Sequence, residues 1–277
     1  MDYVQAEIKF VQWMKVKGLA KNTIKNYAFQ IRMLGITFKE TDRFRNITSE
    51  QIMEYLLTKI AVNSQRHAHS AIKLFYRNII GQPFKFNRIP YAKKEKKLPE
   101  PLEEYEIQAI LDVCTNVKHK SIICLAYACG LRVSEIINLK ISDIDGKSGI
   151  INIRLAKGKK DRIVPLPDKL LFQLREYYKQ YRPVEYLFNG QGTLLQYSES
   201  SINQFLKDLA KKAKIIKNVH IHLLRHSYAS HSLEQGVDIR YIQEILGHSS
   251  PKTTQIYTHC SKKAISRISS PINSIQL

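Results

Sequence analysis

The 277-residue chain carries 44 Lys+Arg against 24 Asp+Glu, a formal net charge of +20. So large an excess repels itself in a compact state, so the expected partner is a polyanion, above all nucleic acid. A hydrophobic fraction of 44% excludes a basic disordered tail. The longest apolar stretch, Ile122 to Leu131, falls far short of the roughly 20 residues that span a bilayer.

The basic residues are spread along the chain and form no single amphipathic stripe, which argues against a membrane surface. The start, Met1 to Glu7, has early acids and no apolar core of a signal peptide. Cys114, Cys124, Cys129 and Cys260 show no CxxC pairing, so reduced thiols in a cytoplasmic protein are expected.

Residues 1–82 read as a four-helix domain. Val4, Ile8, Val11 and Met14 recur at helical spacing up to Gly18. A second run from Asn22 carries Ile24, Tyr27, Ile31 and Leu34. A third starts at Ser49, a candidate N-cap, and a fourth carries Ala68, Ala71, Ile72, Phe75 and Ile79 before Gly81. Pro83, Pro90, Pro99 and Pro101, with the charge run Lys93 to Lys97, predict a linker over 83–101. From 102 to 277 the reading is helical again, with helices near 103–115, 119–129, 168–181, 199–213, 222–235, 238–246 and 251–258. A two-stranded hairpin, 149–154 and 161–165, interrupts them around the basic turn Lys157-Gly158-Lys159-Lys160. The expected fold is therefore mainly α, in two domains, with one small β-sheet in the second.

Several residues stand out chemically. Gly130 breaks a helix, and Arg132 falls in the first turn of the next. A cation there opposes the helix dipole unless an anion sits beside it, although an i,i+3 pair with Glu135 satisfies it equally. Lys157, at the hairpin tip, can enter a groove and donate a proton to a leaving oxygen. His222 and Arg225 share one helix face. His222 and His226 have the i,i+4 spacing of a metal pair, but no HExxH pattern or carboxylate cluster accompanies them, so no metal is expected. Tyr257 is one of 15 tyrosines and gains meaning only from its neighbours. In the first domain Lys21, Asn22, Lys25, Arg66 and Lys73 fall at helix starts or on polar faces where phosphates could dock. In the second, Lys159, Lys160 and Arg162 are expected along the same groove as Lys157.

Arg132 in GLRVSE, Lys157 in AKGKKDRIVPL, His222 and Arg225 in HLLRH, His248 in LGHSS and Tyr257 in TQIYTH occur in this order. Together they resemble the tyrosine recombinase (phage integrase) family over about 102–262, in its Xer-like or small mobile-element form. The N-terminal helices resemble, less specifically, the family's core-binding (SAM-like) domain. The resemblance implies two domains closing as a C-shaped clamp on a double-stranded DNA recombination site, and a homotetramer joined through the C-terminal tail from Ser261. It implies that Arg132 and Arg225 bind the scissile phosphate, that His222 moves the proton of Tyr257, and that His248 hydrogen-bonds the phosphate. Lys157 would protonate the departing 5′ oxygen, and Tyr257 would form a 3′-phosphotyrosyl link, with a Holliday junction on the way to exchange. Glu135 would orient Arg132, and His226 would support the site. Because the covalent link conserves the phosphodiester energy, no metal, ATP or other cofactor is implied. The competing readings are a type IB topoisomerase, a noncatalytic DNA-binding protein and a metal nuclease.

Overall fold

A computed structural model describes residues 2–41, 43–93, 100–154, 161–190, 196–248 and 254. The chain divides into two compact units, Met1–Lys97 and Leu98–Leu277.

The first unit holds α1 (Tyr3–Val16), α2 (Lys21–Thr37), α3 (Ser49–Leu57) and α4 (Val62–Phe75). Asp2 opens α1 by accepting from the Gln5 backbone N–H at 2.7 Å. The cap of α3 is Thr48, one residue before the expected Ser49. Its hydroxyl accepts from Gln51 N while the Gln51 side chain accepts from Thr48 N, so two otherwise unpaired donors are satisfied together. Phe10, Met14, Ile31, Leu34, Ile52, Ile72, Phe75 and Tyr76 fill the core. Phe44 and Phe75 meet edge to face with centroids 4.8 Å apart.

Residues from 83 onward, expected as linker, begin inside this unit. Pro83–Phe86 forms a 3-10 turn, and Phe86 and Ile89 are buried in the core. The Lys85 ammonium donates to the carbonyls of Arg45 and Ile47. Prolines and charges mark this stretch in the sequence, but its two apolar side chains, three residues apart, decide where it packs. Residues 94–99, with most of the charge run, lie outside the described residues.

The second unit holds α5 (Glu104–Val113), α6 (Val117–Cys129), α7 (Val133–Asn138), α8 (Asp168–Tyr181), α9 (Glu199–Lys212), α10 (Ile221–Glu234) and α11 (Ile239–Leu246). Between α7 and α8 lies an antiparallel sheet in the order β1 (Ile144–Asp145), β2 (Ile150–Ile153), β3 (Arg162–Pro165). The sequence predicts only the last two strands, because a two-residue strand has no alternation to read. Helix α6, with Ile122, Ile123, Leu125, Ala126 and Cys129 buried, packs on α10 and α8 and forms the centre of this core. Of the helix expected over 251–258, only Thr254 is among the described residues. No described helix is long and apolar enough to cross a membrane.

Two helix ends depend on glycine. Gly130 caps α6 at φ +59°, and Gly247 caps α11 at φ +60°, conformations that disfavour any residue with a Cβ. A Cβ on Gly130 would also meet Tyr228 Cδ1 at 2.6 Å and Leu246 Cδ2 at 2.7 Å. Gly130→Ala is therefore expected to destabilise the second unit by about 2–4 kcal/mol, from left-handed strain plus overpacking. Denaturant unfolding of the full chain measures this, and a change within about 0.5 kcal/mol, the ordinary surface range, would contradict it.

Candidate active site

A buried carboxylate organises the site. Glu135 sits in the first turn of α7, where the helix dipole favours an anion. Arg132 stands at the N-cap of α7, one position before the expected first turn. Its backbone N–H donates to Glu135 Oε2 at 2.8 Å, and its guanidinium Nη1 donates to Oε1 at 2.8 Å. From β3, Arg162 donates Nη1 to Oε1 and Nη2 to Oε2, each at 2.8 Å. From α10, Arg225 Nη1 comes within 3.9 Å of Oε2. Three arginines from separate elements thus share one carboxylate.

Carbonyls at the ends of α6 and α11 take up further guanidinium donors. Arg225 donates Nη1 to Gly130 O and Nη2 to Leu246 O, both at 2.6 Å. Arg132 Nη2 donates to Gly247 O at 3.1 Å, and Arg162 Nε donates to Ile245 O at 2.6 Å. Helix C-terminal carbonyls lack intrahelical partners and carry partial negative charge, so cations belong there. His248 comes next in the chain, its Nε2 3.0 Å from Arg225 Nη2 and its Nδ1 2.9 Å from Thr254 Oγ1. A guanidinium can only donate, so Nε2 is the acceptor, and the ring proton lies on Nδ1 and points to Thr254.

The charges set the protonation states. Burial alone would raise the Glu135 pKa, but the hydrogen bonds and charge of Arg162, followed by the bonds from Arg132, hold it at about 2. His248 is pushed down to about 4, by burial first and then by Arg225 and Arg132. His226 is also at about 4, through burial and then the charges of His222 and Arg225. The side chain of His222 is exposed, yet partial shielding of its ring, then Arg225, His220 and Arg132, lower its pKa as well. These imidazoles are therefore neutral near pH 7 and able to accept protons.

The structure thus brings Arg132, Glu135, Arg225 and His248 together, with His222 and His226 close enough for the arginine charges to act on them. Lys157, Lys159, Lys160 and Tyr257 lie outside the described residues. One expected DNA contact, Arg162, is corrected, and another, Arg66, is partly exposed with one nitrogen bonded within the protein. Arg162 has only 7% of its side chain exposed, and all three of its nitrogens are engaged within the protein. Arg66 stacks over Tyr91 at 4.3 Å and donates to Ala92 O at 2.8 Å, anchoring the chain that leaves the first unit. For Arg162, buried acceptors claim the whole guanidinium. Lys21, Asn22, Lys25 and Lys73 are exposed. Thr254 was not anticipated, and no local pattern marks a threonine as the partner of a histidine six residues away. Among the described residues, no three His, Cys, Asp or Glu side chains gather where they could hold a metal ion.

Comparison with known proteins places this geometry. Residues 100–264 match the phage integrase family, and residues 8–85 match the phage integrase N-terminal SAM-like domain. The chain is 32% identical to tyrosine recombinase XerA of Pyrococcus horikoshii over 262 residues, covering 92% of this chain and 89% of that protein. It is 34% identical to tyrosine recombinase XerD of Staphylococcus saprophyticus over 293 residues, covering 97% of each. The crystal structure of the XerH site-specific recombinase bound to palindromic difH substrate, a post-cleavage complex, shares the fold. Its TM-score is 0.72 at 23% identity, over 88% of this chain and 78% of that one.

A histidine at about 4 in the folded chain and about 6.5 when unfolded binds more protons in the unfolded state between those values. Its contribution is complete above pH about 6.5 and is lost as pH falls toward 4. Glu135, held at about 2, contributes loss only below its unfolded value of about 4.5. Stability should therefore fall between pH about 6.5 and 4.5, and His226→Gln should flatten that slope. Melting curves across this range check it, and an unchanged slope in His226→Gln would contradict the assignment.

Proposed function

This chain belongs to the phage integrase family and is a tyrosine site-specific recombinase, and we propose that it cleaves and rejoins double-stranded DNA at recombination sites with the residues gathered around Glu135. The observation that carries this reading is the convergence of Arg132 and Arg225, distant in sequence, on one carboxylate and on adjacent carbonyls beside His248. Donors so arranged are ready to exchange carbonyl oxygens for phosphate oxygens.

In the proposed reaction Arg132 and Arg225 donate to the nonbridging oxygens of the scissile phosphate and stabilise the charge that grows in the transition state. Neutral His222 takes the phenol proton of Tyr257 as its oxygen attacks phosphorus. The bond from phosphorus to the 5′ oxygen breaks, and Lys157 gives that oxygen a proton. The 3′ end is then held as a phosphotyrosyl ester. A 5′-hydroxyl from the partner strand attacks that ester and gives its proton to Lys157, while Tyr257 leaves phosphorus and takes its proton back from His222. The first pair of exchanges leaves a Holliday junction, and the second resolves it. The arriving phosphate draws Arg225 off His248 and offsets the arginine charges that keep the ring neutral. The ring can then take a second proton and donate from Nε2 to the phosphate while Nδ1–H stays on Thr254.

The +20 charge supports binding to the sugar–phosphate backbone, with exposed Lys21, Asn22, Lys25 and Lys73 as contacts in the first unit. Ile265, Ile268 and Ile272 in the tail support docking on a neighbouring protomer in a homotetramer on paired sites.

The test uses a nicked suicide duplex carrying a site selected from a random pool by the protein itself. The unaltered chain should form a covalent adduct, and Tyr257→Phe should form none while retaining DNA affinity. Arg225→Ala should slow adduct formation by about 100- to 1,000-fold, the usual loss for one oxyanion-type donor. No adduct with the unaltered chain, or an adduct with Tyr257→Phe, overturns the proposal. Recombination between two selected sites, against relaxation of a plasmid that lacks them, separates strand exchange from topoisomerase action.

A further inference from the structure

We propose that Arg162 is a positioning residue for strand cleavage: its fork on Glu135 fixes the carboxylate that orients Arg132, and its contact with Ile245 fixes the turn that carries His248. This inference rests on the strand-exchange reading above and assigns a part in it to a residue that touches no reacting atom.

The carboxylate of Glu135 is held from two directions. Oε1 accepts from Arg132 Nη1 and Arg162 Nη1, and Oε2 accepts from Arg132 N and Arg162 Nη2, all at 2.8 Å. A planar guanidinium opposite a planar carboxylate allows one orientation, which a single ammonium could not impose. Arg132 contributes one backbone and one side-chain donor, so without Arg162 each carboxylate oxygen keeps a single bond and the planar fork that fixes their orientation is lost. The Arg132 guanidinium then rests on a less firmly held partner.

The second contact acts on the other support of Arg132. Arg162 Nε donates to Ile245 O in the last turn of α11 at 2.6 Å. Its side chain lies along Gly247, where an added Cβ would stand 3.1 Å from Arg162 Cδ. Gly247 O receives Arg132 Nη2, and the next residue is His248. One side chain therefore steadies both groups that hold Arg132 and the turn that presents the histidine.

Charge makes the role measurable. Among the described residues, Arg132 at the start of α7, Arg162 from β3 and Arg225 from α10 face Glu135, and His248 after α11 bonds to Arg225. Burial raises the pKa of Glu135, and the bonds from Arg162 are the largest force against it. With Arg162 removed, the carboxyl should take up a proton nearer neutral pH and lose acceptor capacity for Arg132.

Single-turnover cleavage of the suicide duplex should be followed from pH 5 to pH 9 for the full-length chain and for Arg162→Met, Arg162→Lys and Arg162→Met combined with Glu135→Gln. Arg162→Met should cleave about 10- to 100-fold more slowly at neutral pH, the range seen when a group orienting a reactive ligand is lost. Its rate should also rise with pH along an acid limb displaced to higher pH from any that His222 gives the unaltered chain and the double variant, with DNA affinity changed less than about twofold. Arg162→Lys keeps the charge but not the fork, so it should be slowed without gaining the limb. A pH profile for Arg162→Met parallel to that of the unaltered chain overturns the proposal, as does a loss of DNA affinity that accounts for the slower cleavage. Should melting show Arg162→Met unfolded, Arg162→Lys decides: slowed cleavage at unchanged affinity supports the role, and unchanged cleavage overturns it. Failure of the unaltered chain to form any adduct counts instead against strand exchange itself.

Discussion

A carboxylate that stays ionised in the interior is the constraint on which the catalytic unit is built. Three guanidiniums brought this close would repel one another without an anion among them, and burial would make that repulsion worse. Glu135 supplies the anion, with help from the dipole at the start of α7. Breaking such a buried set by removing one partner costs about 3–5 kcal/mol, because it leaves charge without compensation. Fold and chemistry are thereby coupled: the interaction that lets α7, β3 and α10 pack together also places the groups proposed to bind phosphate.

The remaining donors are satisfied by the ends of two helices. Alpha-helical C-termini leave carbonyls without partners, and here α6 and α11 direct theirs at the arginines. The arrangement depends on Gly130 and Gly247, whose left-handed conformations end the helices sharply and whose lack of a Cβ lets neighbours approach. In effect, backbone oxygens occupy guanidinium donors that a phosphate diester can also use. In the proposed reaction the guanidinium donors stay satisfied as phosphate oxygens replace the carbonyls. Burial first, and then the cations nearby, keep the histidines neutral, and an entering anion would offset the second of these.

Much of this was legible in the sequence, and what was not has physical reasons. Helices such as α8 are periodic and well separated, and the run from Arg132 to Glu135 declares both a helix start and an ion pair. Arg162 was misjudged because it comes after a lysine run, which reads as a solvated groove. On β3, however, Arg162 and Val164 face inward while Ile163 is exposed, so the usual hydrophobic alternation is inverted by an ion pair that only the folded chain reveals. The chain beyond Pro83 differs for a like reason: Phe86, Ile89 and Tyr91 find partners on α4 or in the core of the first unit that composition does not disclose. Strand β1 is too short to carry a period, and the bond of Thr254 to His248, six residues away, has no local signature.

The exchange of carbonyl for phosphate oxygens is tested most directly by the crystal structure of the Tyr257→Phe variant bound to a duplex carrying its selected site. Arg132 and Arg225 should then lie within hydrogen-bonding distance of nonbridging oxygens of one phosphate, with Glu135 still holding Arg132 and Arg225 released from the carbonyls of Gly130 and Leu246. A phosphate seated elsewhere, with Arg225 still bonded to those carbonyls, would contradict it.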